Sequence, residues 1–262
     1  MKVQANGIAI NYELAGSGPC VILSHSIASN LHMWDEQMDA LTARYTVLRY
    51  DTRGHGATAA PDGAYSFAQL VGDVAGLLDA LNIERTHFVG LSMGGMIAQH
   101  FALAHPGRLD KLVIASSSSR TPPEARAIWD ERIALARDQG MQAHVEATLG
   151  RWFTASWRAS HPEVMARIGG LITATPVAGY AGCCHALPKL NLTARLKDIK
   201  VPALVIVGDQ DAGTPPAMAQ AIHENLPGSD LEIIASASHL SNVEQPAAFD
   251  RALTAFYNRI KA

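Results

Sequence analysis

A serine flanked by glycines is the first place where this sequence could perform covalent chemistry. Ser92 lies in the segment GLSMG, residues 90–94, which fits the pattern G-x-S-x-G, and Gly95 follows directly. An apolar run precedes the motif and a helical pattern follows it, which is the context that places such a serine on a sharp turn with its hydroxyl exposed. Glycines remove the Cβ atoms that would clash in so tight a turn. The motif predicts that Ser92 is a nucleophile.

Two further residues must assist this serine, because a histidine has to accept its proton and a carboxylate has to orient the histidine. In enzymes with this motif the chain order is serine, acid, histidine. The segment VIVGDQDAGTPP offers Asp209 and Asp211, and we predict Asp211, which lies further out in the loop. Of the two later histidines, His223 lies inside a helical pattern and His239 in a loop before the last helix. We predict His239 as the base.

An oxyanion also needs hydrogen-bond donors that are fixed before the reaction begins. We expect one donor to be the backbone N–H of Met93, which follows the nucleophile and opens a helix. The other is expected from the loop after the apolar run CVILS, where we choose the N–H of Ile27. The acid, arginine and histidine of RYDTRGHG, residues 49–56, are instead interpreted as a structural turn that braces strand ends.

The elements that must position these residues follow from the hydrophobic pattern. Short apolar runs alternate with helix-period stretches, which predicts an α/β protein with a mainly parallel sheet covered on both faces. Asn6-Gly7 predicts a hairpin before this sheet. Some 85 residues without a convincing strand separate two of the runs, and we interpret them as a helical cap. The predicted division is a core of residues 1–118 and 199–262 with a cap at 119–198.

Candidate substrate-binding residues lie in the cap. Trp129 and Trp152 offer large apolar surfaces, and Arg132 or Arg151 could bind an anionic substrate. The alternative stays open that the aromatic side chains only pack cap against core and that the arginines lie in solvent.

Composition and charge exclude several other classes of partner. The net charge is −3 without a long basic run, so we expect no nucleic acid and a small-molecule partner. No phosphate-binding glycine motif and no metal-binding histidine spacing appear, so we expect no cofactor and no metal. Three cysteines without a C-x-x-C pair suit a reducing compartment, and no stretch approaches a membrane span or a signal peptide. We expect a cytoplasmic protein without a membrane partner, and a homo-oligomer stays open.

Longer segments resemble a known family over nearly the whole chain. RYDTRGHGA, ERTHFVGLSMGGMIAQ, HMWDEQ, GYAGCC and SHLSNVEQPAAF are similar to 3-oxoadipate enol-lactonases of the α/β-hydrolase superfamily. The resemblance implies the α/β-hydrolase fold and a catalytic triad of Ser92, Asp211 and His239 with an acyl-enzyme intermediate. It implies a small carboxylated enol lactone as substrate, within aromatic catabolism by the β-ketoadipate pathway. This chain has SHSIAS where those lactonases tend to have SNSLG, so His25 joins the candidate substrate-binding residues.

Other functions are compatible with the same predicted catalytic residues. A carboxylesterase or a hydrolase of another small ester, lactone or amide would change only the pocket. A carbon–carbon bond hydrolase would use the same triad on bulkier substrates, and a ligand receptor of this fold would turn over slowly or never. A panel of aryl esters and lactones distinguishes these alternatives.

Overall fold

A single twisted sheet organises the protein, whose computed structural model describes residues 1–259. Eight strands are hydrogen-bonded in the order β1-β2-β4-β3-β5-β6-β7-β8, in which β2 pairs antiparallel with both β1 and β4 and every other pair of neighbours is parallel. The strands are β1 (Lys2–Ala5), β2 (Ile8–Gly16), β3 (Cys20–Ser24), β4 (Thr46–Tyr50), β5 (Thr86–Leu91), β6 (Leu109–Ala115), β7 (Ala203–Gly208) and β8 (Ser229–Ile234). The predicted mainly parallel sheet is confirmed.

The predicted hairpin is also confirmed. Asn6 and Gly7 join β1 to β2 with φ angles of +48° and +78°. Two consecutive positive φ angles define the type I′ turn, whose twist matches that of the flanking strands.

Helices cover both faces of the sheet. Alternate residues of the central strands belong to two separate hydrophobic cores, with Phe88 in one and Val89 in the other. The helices are α1 (Met38–Thr42), α2 (Phe67–Ala80), α3 (Met93–Ala104), α4 (Ala125–Gln139), α5 (Val145–Trp152), α6 (Ala155–Ser160), α7 (Pro162–Thr173), α8 (Val177–Cys184), α9 (Pro216–Asn225), α10 (Ser241–Glu244) and α11 (Pro246–Asn258). Within residues 1–259, none of them is long and apolar enough to cross a membrane.

The long interval between β6 and β7 contains helices α4 to α8. Its ends are joined by one antiparallel bridge between Arg120 and Asn191. The separation of residues 119–198 as a cap, distinct from the two parts of the core, stays a prediction.

Candidate active site

Ser92 occupies a strained turn between β5 and α3. Its φ angle of +58° is rare for a residue with a side chain, and its carbonyl accepts a 2.8 Å hydrogen bond from the hydroxyl of Ser117. A Cβ atom on Gly90 would lie 2.2 Å from the carbonyl oxygen of Gly94, and one on Gly94 would lie 2.1 Å from that of Ser24. The glycines are therefore required by close backbone approach, which brings the start of α3 against the end of β3.

His239 and Asp211 form a buried hydrogen-bonded pair. Nδ1 of His239 lies 2.8 Å from Oδ2 of Asp211, and the two residues are 5% and 2% exposed. Because a carboxylate oxygen accepts, Nδ1 carries the proton and Nε2 is left as the free nitrogen. Thr214 donates its hydroxyl to Oδ2 and its backbone N–H to Oδ1 of the same carboxylate, both at 2.8 Å.

These contacts keep Asp211 ionised. Burial by itself raises the pKa of Asp211, but the charge of His239 and the hydrogen bonds from His239 and Thr214 outweigh it and lower the pKa below its ordinary value. An ionised Asp211 holds the His239 ring in one tautomer and would stabilise a positive charge on that ring.

The loop that carries His239 is tied to α5 on both sides of the histidine. The N–H of Ser238 donates to Glu244 at 2.7 Å, and the same carboxylate accepts the N–H of Thr154, just beyond α5, at 3.0 Å. The N–H of Leu240 donates to the carbonyl of Trp152 at 3.0 Å. The helical segment between β6 and β7 is thus tied by hydrogen bonds to the residues on either side of the histidine.

Ser92 and His239 line the same cavity, which has a volume of 220 Å³. Within the described residues no hydrogen bond joins the Ser92 hydroxyl to His239, and such bonds are often long before substrate binds. A larger cleft of 450 Å³, lined in part by Arg120 and Lys189, contains none of the predicted site residues.

The two predicted oxyanion donors also line this cavity. Met93 is the first residue of α3, so its N–H has no carbonyl partner within the helix. Among the loop hydrogen bonds of residues 1–259, none uses the N–H of Ile27. Both groups are available to a developing negative charge.

Two arginines and two tryptophans belong to the part of the cavity lining that the predicted cap contributes. The Arg132 guanidinium stacks over the Trp129 ring at 4.6 Å, and Arg151 donates to the hydroxyl of Thr148 at 3.0 Å. Burial and the nearby charge of Arg132 lower the pKa of Arg151. No ion pair in the described part of the chain involves either arginine, so the cavity holds two positive charges without a neutralising carboxylate.

Three sequence candidates do not line the cavity. The structure places His25 away from the cavity lining, because the ring is fully buried and both of its nitrogens bond to backbone groups. Asp209, the alternative acid, is exposed and accepts the N–H of Ala237 at 3.2 Å. His223, the alternative base, lies in α9 against Ser229.

Sequence reasoning missed Thr214, which completes the surroundings of Asp211. Its signal was the short spacing in DAGT, where an aspartate side chain accepts backbone N–H groups two and three residues later. Among residues 1–259, no group of three or more histidine, cysteine, aspartate or glutamate side chains could hold a metal ion.

Comparisons with known proteins agree on one family. The model of the alpha/beta hydrolase fold family matches residues 19–246. The 3-oxoadipate enol-lactonase 2 of Acinetobacter baylyi is 38% identical over 257 residues, covering 97% of this chain and 95% of that protein. The crystal structure of the enol-lactonase from Burkholderia xenovorans has a TM-score of 0.95 at 38% identity and covers 99% of this chain and 100% of that chain. A thermophilic esterase from Thermogutta terrifontis, solved with malate bound, has a TM-score of 0.94 at 28% identity over 98% of each chain.

Proposed function

The chain belongs to the alpha/beta hydrolase family and is a hydrolase of ester or lactone bonds, and we propose that its substrate is a small enol lactone bearing a carboxylate. The observation that carries this proposal is the cavity that holds Ser92 and His239 together with two arginines lacking a carboxylate partner in residues 1–259. The relatives named enol-lactonase support the lactone. The related esterase solved with malate, a small dicarboxylate, supports an anionic ligand.

The first half of the reaction forms an acyl-enzyme. Ser92 Oγ attacks the lactone carbonyl carbon while Nε2 of His239 accepts the hydroxyl proton. The N–H groups of Ile27 and Met93 stabilise the negative charge on the tetrahedral oxygen. The ring carbon–oxygen bond then breaks, and His239 donates its proton to the departing enolate oxygen.

The second half releases the product. Water attacks the Ser92 ester while His239 accepts its proton, and the same two N–H groups bind the second tetrahedral anion. Collapse of this anion returns the proton to Ser92 Oγ and frees a carboxylic acid. The enol tautomerises to a ketone, so one lactone and one water give one keto acid.

Substrate selection depends on charge and size. Arg132 and Arg151 bind the substrate carboxylate, because a guanidinium can donate two parallel hydrogen bonds to it. Trp129 and Trp152 cover the apolar ring. The cavity volume of 220 Å³ favours a small acid over a bulky ester.

The test follows the loss of ultraviolet absorbance of freshly prepared 3-oxoadipate enol-lactone. We expect rapid, saturable loss with wild type, and a kcat about 10⁶-fold lower for Ser92→Ala, as removal of a triad serine causes elsewhere. The Ser92→Ala protein must show the wild-type melting profile, so that lost turnover reports chemistry.

An esterase is the second candidate, favoured by the TM-score of 0.94 to the thermophilic esterase. Wild type that cleaves aryl esters but leaves the enol lactone intact would support that candidate and overturn the lactone. Ser92→Ala activity near wild type on every substrate would overturn the serine mechanism as well.

A further inference from the structure

A buried histidine lies directly behind the peptide that carries one of the two oxyanion donors. Nδ1 of His25 lies 2.7 Å from the carbonyl oxygen of Ser26, and Nε2 lies 2.9 Å from the backbone nitrogen of Thr52. A carbonyl can only accept and a backbone N–H can only donate, so these partners fix the neutral ring with its proton on Nδ1. The tautomer of His25 is therefore set by the backbone on both sides.

The carbonyl of Ser26 and the N–H of Ile27 belong to the same planar peptide unit. In a trans peptide the two groups point in opposite directions, and the chain has no cis peptide bond within residues 1–259. When His25 holds the Ser26 oxygen, the Ile27 N–H is held pointing away from the ring. Donation to the carbonyl also polarises the peptide and strengthens its N–H as a donor.

A second buried histidine holds the next peptide. Nε2 of His55 accepts the N–H of Ala28 at 3.1 Å, while its Nδ1 lies 3.2 Å from the carbonyl oxygen of Arg53. Ala28 has a φ angle of +57°, a conformation that residues with a side chain rarely adopt and that needs such support. The loop is thus fixed on both sides of Ile27, whose own N–H is left for the substrate.

We propose that His25 is a positioning residue that aims the Ile27 N–H at the developing oxyanion through its hydrogen bond to the Ser26 carbonyl. The inference rests on the proposed function, because it assumes that Ile27 stabilises an oxyanion. It assigns to His25 a role without substrate contact, which its complete burial requires.

Two substitutions separate positioning from structural support. His25→Asn keeps a donor at the place of Nδ1, whereas His25→Leu removes it, and both lose the acceptor for Thr52. We expect both variants to melt at a lower temperature than wild type. With an aryl ester as substrate, we expect His25→Asn to retain kcat within about threefold, and His25→Leu to lose about 10- to 100-fold, approaching the loss of an oxyanion donor. KM should stay unchanged in both, because the lost interaction is made only in the transition state.

A matched control uses another histidine with a depressed pKa. His87 in β5 is partly buried and stacks on Tyr257, and burial lowers its pKa as it does for His25. We expect His87→Leu to leave kcat unchanged. A wild-type kcat in His25→Leu, or equal losses in His25→Leu and His25→Asn, would overturn the proposal.

Crystal structures of the two variants test the inference independently of the proposed function, because they show the orientation of the Ser26–Ile27 peptide. Wild type that cleaves neither lactones nor aryl esters would overturn the function alone. A turned Ser26–Ile27 peptide in His25→Leu, with the wild-type orientation kept in His25→Asn, supports the positioning role. An unmoved peptide in His25→Leu overturns it.

Discussion

Oδ2 of Asp211 accepts a 2.8 Å hydrogen bond from Nδ1 of His239, whereas the nearby Asp209 is exposed and accepts the backbone N–H of Ala237. Two residues apart in one loop, the two carboxylates therefore have different hydrogen-bond partners. The separation follows from β7, which ends at Gly208 and leaves Asp209 beside the backbone of Ala237.

Replacement of each aspartate by asparagine tests which of the two carboxylates assists His239. We expect Asp211→Asn to lower kcat by about 10⁴, because an amide favours the wrong tautomer of the histidine and cannot stabilise its charged form. Asp209→Asn should stay within a few-fold of wild type. Initial rates on an aryl ester measure both, and equal losses would show that Asp211 has no special role.

Removal of one cavity arginine should affect charged substrates alone. We expect Arg132→Gln to raise KM for the carboxylated lactone about 10- to 100-fold, since a hydrogen bond to a charged group contributes about 1.5–3 kcal/mol. KM for a neutral aryl ester should stay the same. Arg137→Gln is the matched control, because Arg137 is exposed on the same helix. A uniform rise of KM for both substrates would argue against a carboxylate contact.

Much of the sheet was predictable from sequence because its strands are buried on both faces and therefore form continuous apolar runs. The run at residues 20–24 matches β3 residue for residue. Helix α8 was not among the predicted helices, since all residues from Gly179 to Cys184 are buried and the segment has no polar face to give it a helical period. The backbone of α8 packs directly against the backbone at Gly54, since a Cβ on Gly179 would lie 1.9 Å from the carbonyl oxygen of Gly54. This contact joins segments that are distant in sequence.

Residues of the site were predictable to different degrees for a similar reason. The motif around Ser92 is local, and chain order restricts the acid and the histidine to a few positions. The orientation of the His25 ring depends on its hydrogen bond from Thr52, which follows β4. Because this partner is distant in sequence, the sequence of the His25 loop alone does not reveal it. Sequence thus predicted a loop around Ile27 that lines the cavity, but not which side chains of that loop face it.

The close contact between α3 and β3 can be tested by adding one methyl group. We expect Gly94→Ala to lower the free energy of unfolding by about 1–3 kcal/mol and to reduce kcat, because its Cβ must displace the Ser24 carbonyl, just before the loop that carries Ile27. Gly170→Ala in α7 is the control, since no atom outside its own stretch of helix backbone lies within 4 Å of the added Cβ. That change should raise stability by up to about 1 kcal/mol through helix propensity. Denaturant unfolding and kcat measure both, and a stable, fully active Gly94→Ala would refute the required contact.

The buried histidines predict a loss of stability in acid. Burial lowers the pKa of His25 to about 4, and burial followed by the charge of His25 lowers that of His55 to about 3. Below the ordinary histidine pKa of about 6.5, the unfolded chain binds protons at these two residues. The folded chain does not bind them until the pH approaches the lowered pKa values. The stabilisation is complete above pH 6.5 and is lost between pH 6.5 and the folded pKa, by up to about 1.4 kcal/mol per pH unit for each histidine.

Other groups titrate in the same range, so the prediction is best tested as a difference between proteins. Burial raises the pKa of Asp250 to about 6, which opposes the histidines, but this contribution is shared by wild type and His25→Asn. We expect wild type to be the more stable protein at pH 7 and the gap in the free energy of unfolding to narrow steadily toward pH 4. Denaturant unfolding at four pH values measures the gap. A gap that stays constant would mean that His25 takes up its proton equally in the folded and unfolded chain, contrary to its complete burial.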